Sequence, residues 1–140
     1  MSDPIPSLLH QITHHFRRRM SQDPQVQALG LSPMQGRLLQ FVGRHQPTTA
    51  SAFSEHSRRD RGQVTRLLSG MVKQGLILRE VSPQDGRVHL LSLSPEGART
   101  AQTLRDHKAR VGQSLVQGLD AAEREALAAL LTRLRDSLEA

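Results

Sequence analysis

DRGQVTRLLSGMVKQG, running from Asp60 to Gly75, carries the start, the stripe and the stop of one complete helix. Asp60 can cap it, and Gln63 three residues on completes an acidic variant of the capping box, so the helix is expected to begin at Arg61. Val64, Leu67, Leu68 and Met71 recur at the i, i+3, i+4, i+7 spacing of one buried stripe, and Gly75 offers a left-handed stop. At about 100° per residue, the opposite face holds Gly62, Arg66, Ser69 and Lys73, flanked by Gln63 and Thr65. That face has cations, amide and hydroxyl groups and small residues but no bulky apolar group. Such a set can lie against a polyanion and hydrogen-bond to base edges. An amphipathic helix with a merely solvated polar side has the same pattern, and the face alone does not separate the two.

The rest of the composition bears on that choice. A chain of 140 residues has room for one domain and one core. The net charge is +6, and it lies in residues 1–100, which hold thirteen basic and seven acidic side chains, whereas residues 101–140 hold six of each. Seventeen of the nineteen cations are arginine, the side chain suited to bidentate phosphate and guanine contacts. The three phenylalanines Phe16, Phe41 and Phe53 are the only aromatics of the Phe, Trp and Tyr set, which disfavours single-strand binders that stack bases on aromatic platforms. Duplex DNA is therefore the favoured polyanion. The absence of cysteine excludes disulfides, thiolate metal sites and thiol redox sensing. No apolar run approaches the roughly 18 residues of a membrane span, and the N-terminus lacks a signal-peptide layout, so a cytoplasmic protein without a membrane partner is expected.

Outward from the central helix, the pattern is mainly α. Ile5, Leu8, Leu9, Ile12 and Phe16 form the stripe of a first helix, with Arg17, Arg18 and Arg19 near its end, where cations suit the dipole. His10 and His14 stand four apart on its other face without a carboxylate at ligand spacing, so no metal site is expected. Asp23 to Leu31 reads as a connector. Ser32-Pro33-x-Gln35 starts a second helix that carries Met34, Leu38, Phe41 and Val42 inward to about His45. Thr48 or Thr49 can cap a third, short helix with Ala52 and Phe53 inward, ending near Ser57. Two short helices joined by a turn of about three residues, the second polar and basic outward, form the helix-turn-helix pattern. Leu76 to Val81 and Val88 to Ser94 are β-prone runs around Asp85-Gly86, a strong hairpin-turn pair, and make a small wing with Arg87 beside its tip. Ser94-Pro95-Glu96 opens a long helix to about Gly118. Asp120-x-x-Glu123 opens a last one bearing Leu127, Leu130, Leu131, Leu134 and Leu138. These terminal helices offer more apolar face than one small module can bury, which predicts a homodimer built from both chain ends.

The order of elements resembles that of MarR-type regulators. The sharpest likeness is Asp85-x-Arg87 followed after five residues by Leu93-Ser94-Pro95-Glu96-Gly97, which is similar to the family's wing signature and its Leu-Thr-Pro-x-Gly turn, with Ser94 in place of threonine. Thr65-Arg66 and Gly75-Leu76-Ile77-x-Arg79 also stand where the family's recognition helix and exit would have them. The resemblance implies a winged helix-turn-helix domain over residues 1–140, with a DNA-binding part at about 32–95 and dimerisation helices at about 1–22 and 96–140. It implies a dimeric repressor on a pseudo-palindromic operator, released by a small ligand, often an aromatic acid, lodged between the dimer helices and the DNA-binding part. Gln63, Thr65 and Arg66 would then face the major groove and Arg87 the minor groove, with Asp85 and Arg79 orienting the wing by charge pairing. The full candidate DNA-binding set is Arg61, Gln63, Thr65, Arg66, Ser69, Lys73 and Arg87. No cofactor motif is present, no motif assigns an effector residue, and His107 is followed one turn later by Val111 rather than by a second zinc ligand.

Two other function classes compete with that expectation. A winged helix can serve as a protein-interaction or dimerisation adaptor, although an apolar patch on the outer helix face would then be more usual. An enzyme is disfavoured, since no Ser-His-Asp set, phosphate-cradling glycine loop or paired acids can be found.

Overall fold

The computed structural model describes residues 3–140; Met1 and Ser2, where the expected terminal segment 1–22 begins, lie outside the described residues. In chain order the elements are α1 (Ile5–Gln22), α2 (Pro24–Gln27), α3 (Pro33–His45), α4 (Ala50–Ser57), α5 (Arg61–Lys73), β1 (Ile77–Val81), β2 (His89–Leu93), α6 (Pro95–Leu115) and α7 (Ala121–Glu139). The chain divides into two units, residues 21–107 and the two ends, up to residue 20 together with 108–140, with α6 running through the division. This is the mainly α architecture with a small β wing that the sequence predicts.

The helix ends follow from local chemistry. Ser32 Oγ accepts the Gln35 N–H at 3.2 Å while Gln35 Oε1 accepts the Ser32 N–H at 2.8 Å, a reciprocal capping box, with Pro33 at the first position. Asp120 and Glu123 make the same pair of bonds at the start of α7. At α5 only half of the expected box forms. Asp60 Oδ2 accepts from the Gly62 and Gln63 N–H groups at 3.0 and 3.3 Å, but the Gln63 side chain returns no bond; it lines a shallow groove with Met34, Arg59, Val64 and Leu67. Gly75, at φ +76°, ends the helix as expected. Its N–H donates to Val72 O at 3.0 Å and that of Leu76 to Met71 O at 3.1 Å, the paired bonds of a Schellman stop with buried Met71 and Leu76 as its apolar contact.

Two further details depart from the sequence reading, and a third settles the choice it left between Thr48 and Thr49. The connector contains α2, because Asp23 Oδ1 accepts from the Gln25 and Val26 N–H groups and Pro24 presets the first turn. Thr49 is the cap of α4, since Ala52 N–H donates to its Oγ1, while Thr48 exchanges backbone bonds with Leu91 and adds a bridge to β2. The wing does not turn on a two-residue Asp85-Gly86 loop. Strand pairing stops at Val81 with His89, and the loop 82–88 is closed by Ser82 N–H to Val88 O and Val88 N–H to Asp85 O. Gly86 lacks the positive φ that a tight primed turn needs, because the Ser82 hydroxyl accepts from the Gln84 and Asp85 N–H groups and widens the bend.

Unit 21–107 holds a single core. Leu38, Leu39, Phe41 and Val42 of α3 meet Phe53 of α4, Val64, Leu68 and Met71 of α5, Leu76, Ile77 and Leu91 of the wing, and Ala101 and Leu104 of α6. Gly97 is a point of close approach. A Cβ there would fall inside the envelope of Leu76 O, with Leu76 C only 2.9 Å away, so the first turn of α6 can rest on the α5 exit only with glycine. A second link is not visible in any motif: His107, 4% exposed, brings Nδ1 within 2.9 Å of Asp23 Oδ2, tying α6 to the cap of α2.

In the unit formed by the two ends, α1 and α7 bury no residue, and their stripes of Ile5, Leu8, Leu9, Ile12, Leu127, Leu130, Leu131, Leu134 and Leu138 stand 37–86% exposed. Arg19 Nη1 donates to Ser114 Oγ at 2.8 Å within this unit.

Candidate nucleic-acid interface

The candidate interface starts at the turn between α4 and α5. Arg61, at the first position of α5, donates through Nη1 to Ser51 Oγ of α4 at 2.8 Å, so part of its capacity is spent holding the two helices together. Beyond it, Gln63, Thr65, Arg66 and Lys73 are exposed and Ser69 is half-buried, while Val64, Leu68 and Met71 on the other side are buried. The periodicity therefore separates the two faces as the sequence implies.

Each side chain has a definite hydrogen-bonding capacity. Thr65 Oγ1 gives its proton to Arg61 O at 2.8 Å, which leaves the hydroxyl oxygen as an acceptor toward solvent. Gln63 offers both a donor and an acceptor. Gly62 matters through what it lacks: a Cβ there would stand 3.0 Å from Asp60 Oδ2 and 3.5 Å from Arg66 Nη1, so its absence leaves room for the capping carboxylate and the guanidinium together. Lys73, at the last position of α5, is well placed for the negative end of the helix dipole.

The wing presents one arginine. Arg87 has a side chain 92% exposed, and Asp85 Oδ1 accepts both its backbone N–H at 3.0 Å and its Nε at 3.3 Å. An exposed pair of this kind contributes little to stability, but it aims the guanidinium while engaging only Nε. The expected pairing of Asp85 with Arg79 is not formed. Arg79 sits mid-strand opposite Leu91, is exposed, and has no ion-pair partner among the described residues, because the loop turns Asp85 toward Arg87.

The sequence reading passed over the turn itself. Arg58 caps α4 in the left-handed region at φ 55°, the one non-glycine residue with positive φ among the described residues, and Arg59 follows on the groove rim. The doublet in Ser57-Arg58-Arg59-Asp60 was the available signal.

A helix pair joined by a three-residue turn, its second helix polar outward, and an antiparallel hairpin with an exposed arginine together define a winged helix-turn-helix protein. Residues 29–88 match the family described as MarR. A transcriptional regulatory protein for the hcr operon of Thauera aromatica is 29% identical over 105 residues, 75% of this chain, which spans 63% of that relative's length. Among solved structures, the reduced form of MarR from E. coli superposes with a TM-score of 0.80 at 23% identity, covering 96% of this chain and 98% of that one. A MepR–DNA complex of S. aureus does so at 0.77 and 24%, covering 97% and 99%. At these identities the two structures speak to the fold.

Proposed function

We propose that the chain is a sequence-specific duplex-DNA-binding transcriptional regulator. The observation that carries this reading is the outward face of α5, with Gln63, Thr65, Arg66, Ser69 and Lys73 free of bulky apolar groups, next to the exposed Arg87 of the wing. Arg66 and Gln63 read base edges in the major groove, Thr65 accepts there, Ser69, Lys73 and Arg61 meet the backbone, and Arg87 enters or flanks the minor groove. Asp85 sets the wing through its hold on Arg87. The relative named as a regulator and the MepR complex with DNA support the reading.

The protein acts as a homodimer in the cytoplasm. Residues 32–95 serve as the DNA-binding part, and the segments 1–22 and 96–140 join the copies through the apolar stripes of α1 and α7. Two α5 helices about 34 Å apart then require an inverted-repeat operator. It works as a repressor that a small organic effector, such as an aromatic acid, releases. The test is selection of bound duplexes from a random library, followed by titration against salt: log K should fall by about 0.9 per neutralised phosphate for each decade of salt. An inverted repeat with a steep slope is expected. No enrichment and a flat slope would instead favour the adaptor reading, for which the exposed Leu78 and Val81 of β1 are the relevant surface.

A further inference from the structure

The turn entering α5 places a non-glycine residue where glycine would be unstrained. Arg58 occupies φ 55°, ψ 38°, a conformation that is strained for an L-residue with a long side chain and that glycine adopts freely. The surroundings hold it there. Ser54, only 8% exposed, has a carbonyl that accepts the N–H groups of both Arg58 and Arg59, and a hydroxyl that donates to Arg59 O at 2.6 Å. The backbone of both arginines is thus tied to Ser54, through its carbonyl and, for Arg59, also through its hydroxyl, before any partner arrives.

The side chains are treated differently. Arg58 and Arg59 are exposed and have no ion-pair partner among the described residues. The carboxylate next in sequence, Asp60, is engaged with the Gly62 and Gln63 amides of α5. Two unpaired guanidinium groups therefore flank the positive end of a helix dipole, with Arg61 a residue further on, and this repulsion weakens the folded state unless an anion covers it.

We propose that Arg58 and Arg59 form a phosphate clamp at the entrance to α5, set in place by Ser54, which fixes the depth and register at which the α5 face meets duplex DNA. The left-handed strain persists because the guanidinium is needed at a spot the chain reaches only through that backbone conformation. This rests on the reading of α5 as the DNA-facing helix and adds to it contacts that carry affinity but no base preference.

The test compares the full-length protein with Arg58→Gly, Arg59→Gln and Ser54→Ala on two probes: a duplex recovered by selection and a mixed-sequence duplex of equal length. Each phosphate contact contributes a salt slope of about 0.9, which is about fivefold in affinity at 0.15 M salt and about thirtyfold for the two symmetry-related contacts of a dimer. Arg58→Gly should lose that much on both probes alike and lower the slope by about 2, with thermal stability unchanged or raised. Arg59→Gln should behave the same way without the gain in stability. Ser54→Ala keeps both charges, so it should blunt the contrast between the two probes more than it lowers the slope. Should the glycine variant fold poorly, Arg58→Asn, which tolerates the left-handed region and lacks charge, takes its place. If the parent binds with a steep salt slope and the Arg58 and Arg59 variants match it, the clamp is wrong and the α5 reading stands. If the parent itself shows no salt-dependent duplex binding, both fall.

Discussion

Gly97→Ala asks whether the Leu-Ser-Pro-Glu-Gly turn is there for packing. A methyl group at Gly97 would overlap Leu76 O and stand 2.9 Å from Leu76 C and 3.3 Å from its Cα, all backbone atoms that cannot rotate away. Relief requires the first turn of α6 to lift by about 1 Å, since contacts between non-bonded carbons are optimal near 3.5–4.0 Å. That lift stretches the bond from Ser94 N–H to Leu76 O, now 3.1 Å, and the one from Ser94 Oγ to Gly75 O. Overpacking of a tight contact costs about 1–3 kcal/mol, and each weakened hydrogen bond about 0.5–1.5 kcal/mol. The total is about 2–6 kcal/mol, a large share of a stability of roughly 5–15 kcal/mol. For a chain of this size the midpoint of thermal unfolding should drop by about 7–20 °C. Circular dichroism melts would read it, with Gly70→Ala as the internal control. Gly70 lies in α5 with nothing within 4 Å of a built Cβ, so alanine there should stabilise by up to about 1 kcal/mol. If Gly97→Ala melted at or above the parent temperature, the close approach of α6 to the α5 exit would be wrong, and with it the packing that sets the wing against the core.

Other perturbations separate the remaining roles. Arg66→Ala should weaken a selected operator by about 1–3 kcal/mol and change base preference at one position per half-site, read by titration against single-base variants. Arg87→Ala should lower affinity for many sequences together, leaving any residual preference to follow A·T content in the same titrations. Asp85→Asn keeps an acceptor for the Arg87 backbone but loses the charge, so it should give a milder version of the Arg87→Ala loss with no change in melting temperature. Asp23→Ala removes the α2 cap and leaves the buried His107 without its partner, a combined cost of about 2–4 kcal/mol that urea unfolding would measure.

The parts of this molecule that could be read from sequence are those governed by periodic or local rules. The stripe Val64, Leu68 and Met71 has to face inward because it is the one apolar edge of its helix, and Gly75 follows it at the spacing at which a left-handed stop closes. Ser32 with Gln35, and Asp120 with Glu123, announce helix starts because both partners of each bond lie within four residues. The same locality explains the candidate site: once the buried edge of α5 is known, the outward positions of Gln63, Thr65, Arg66 and Lys73 follow from geometry alone.

What escaped was set by contacts between segments far apart in the chain, or by a competition that local pattern does not rank. Thr48 and Thr49 are equally good caps in sequence, and only the demand of Leu91 for a backbone partner assigns Thr48 to the sheet and leaves the cap to Thr49. Asp85 could face either Arg79 or Arg87; the Ser82 hydroxyl decides, because by bending the loop it turns the carboxylate onto the Arg87 amide and away from mid-strand. Asp23 reads as a plain connector residue until His107, eighty-four positions later, comes within 2.9 Å of it. Arg58 is the most instructive omission. Periodicity marks the turn where it sits and a glycine is the residue expected there, so the arginine counts as one more exposed cation until its backbone is seen at φ 55°. The departure from local preference, and not the charge, singles it out, since a chain free to use glycine at that position carries a long cationic side chain against the conformational cost.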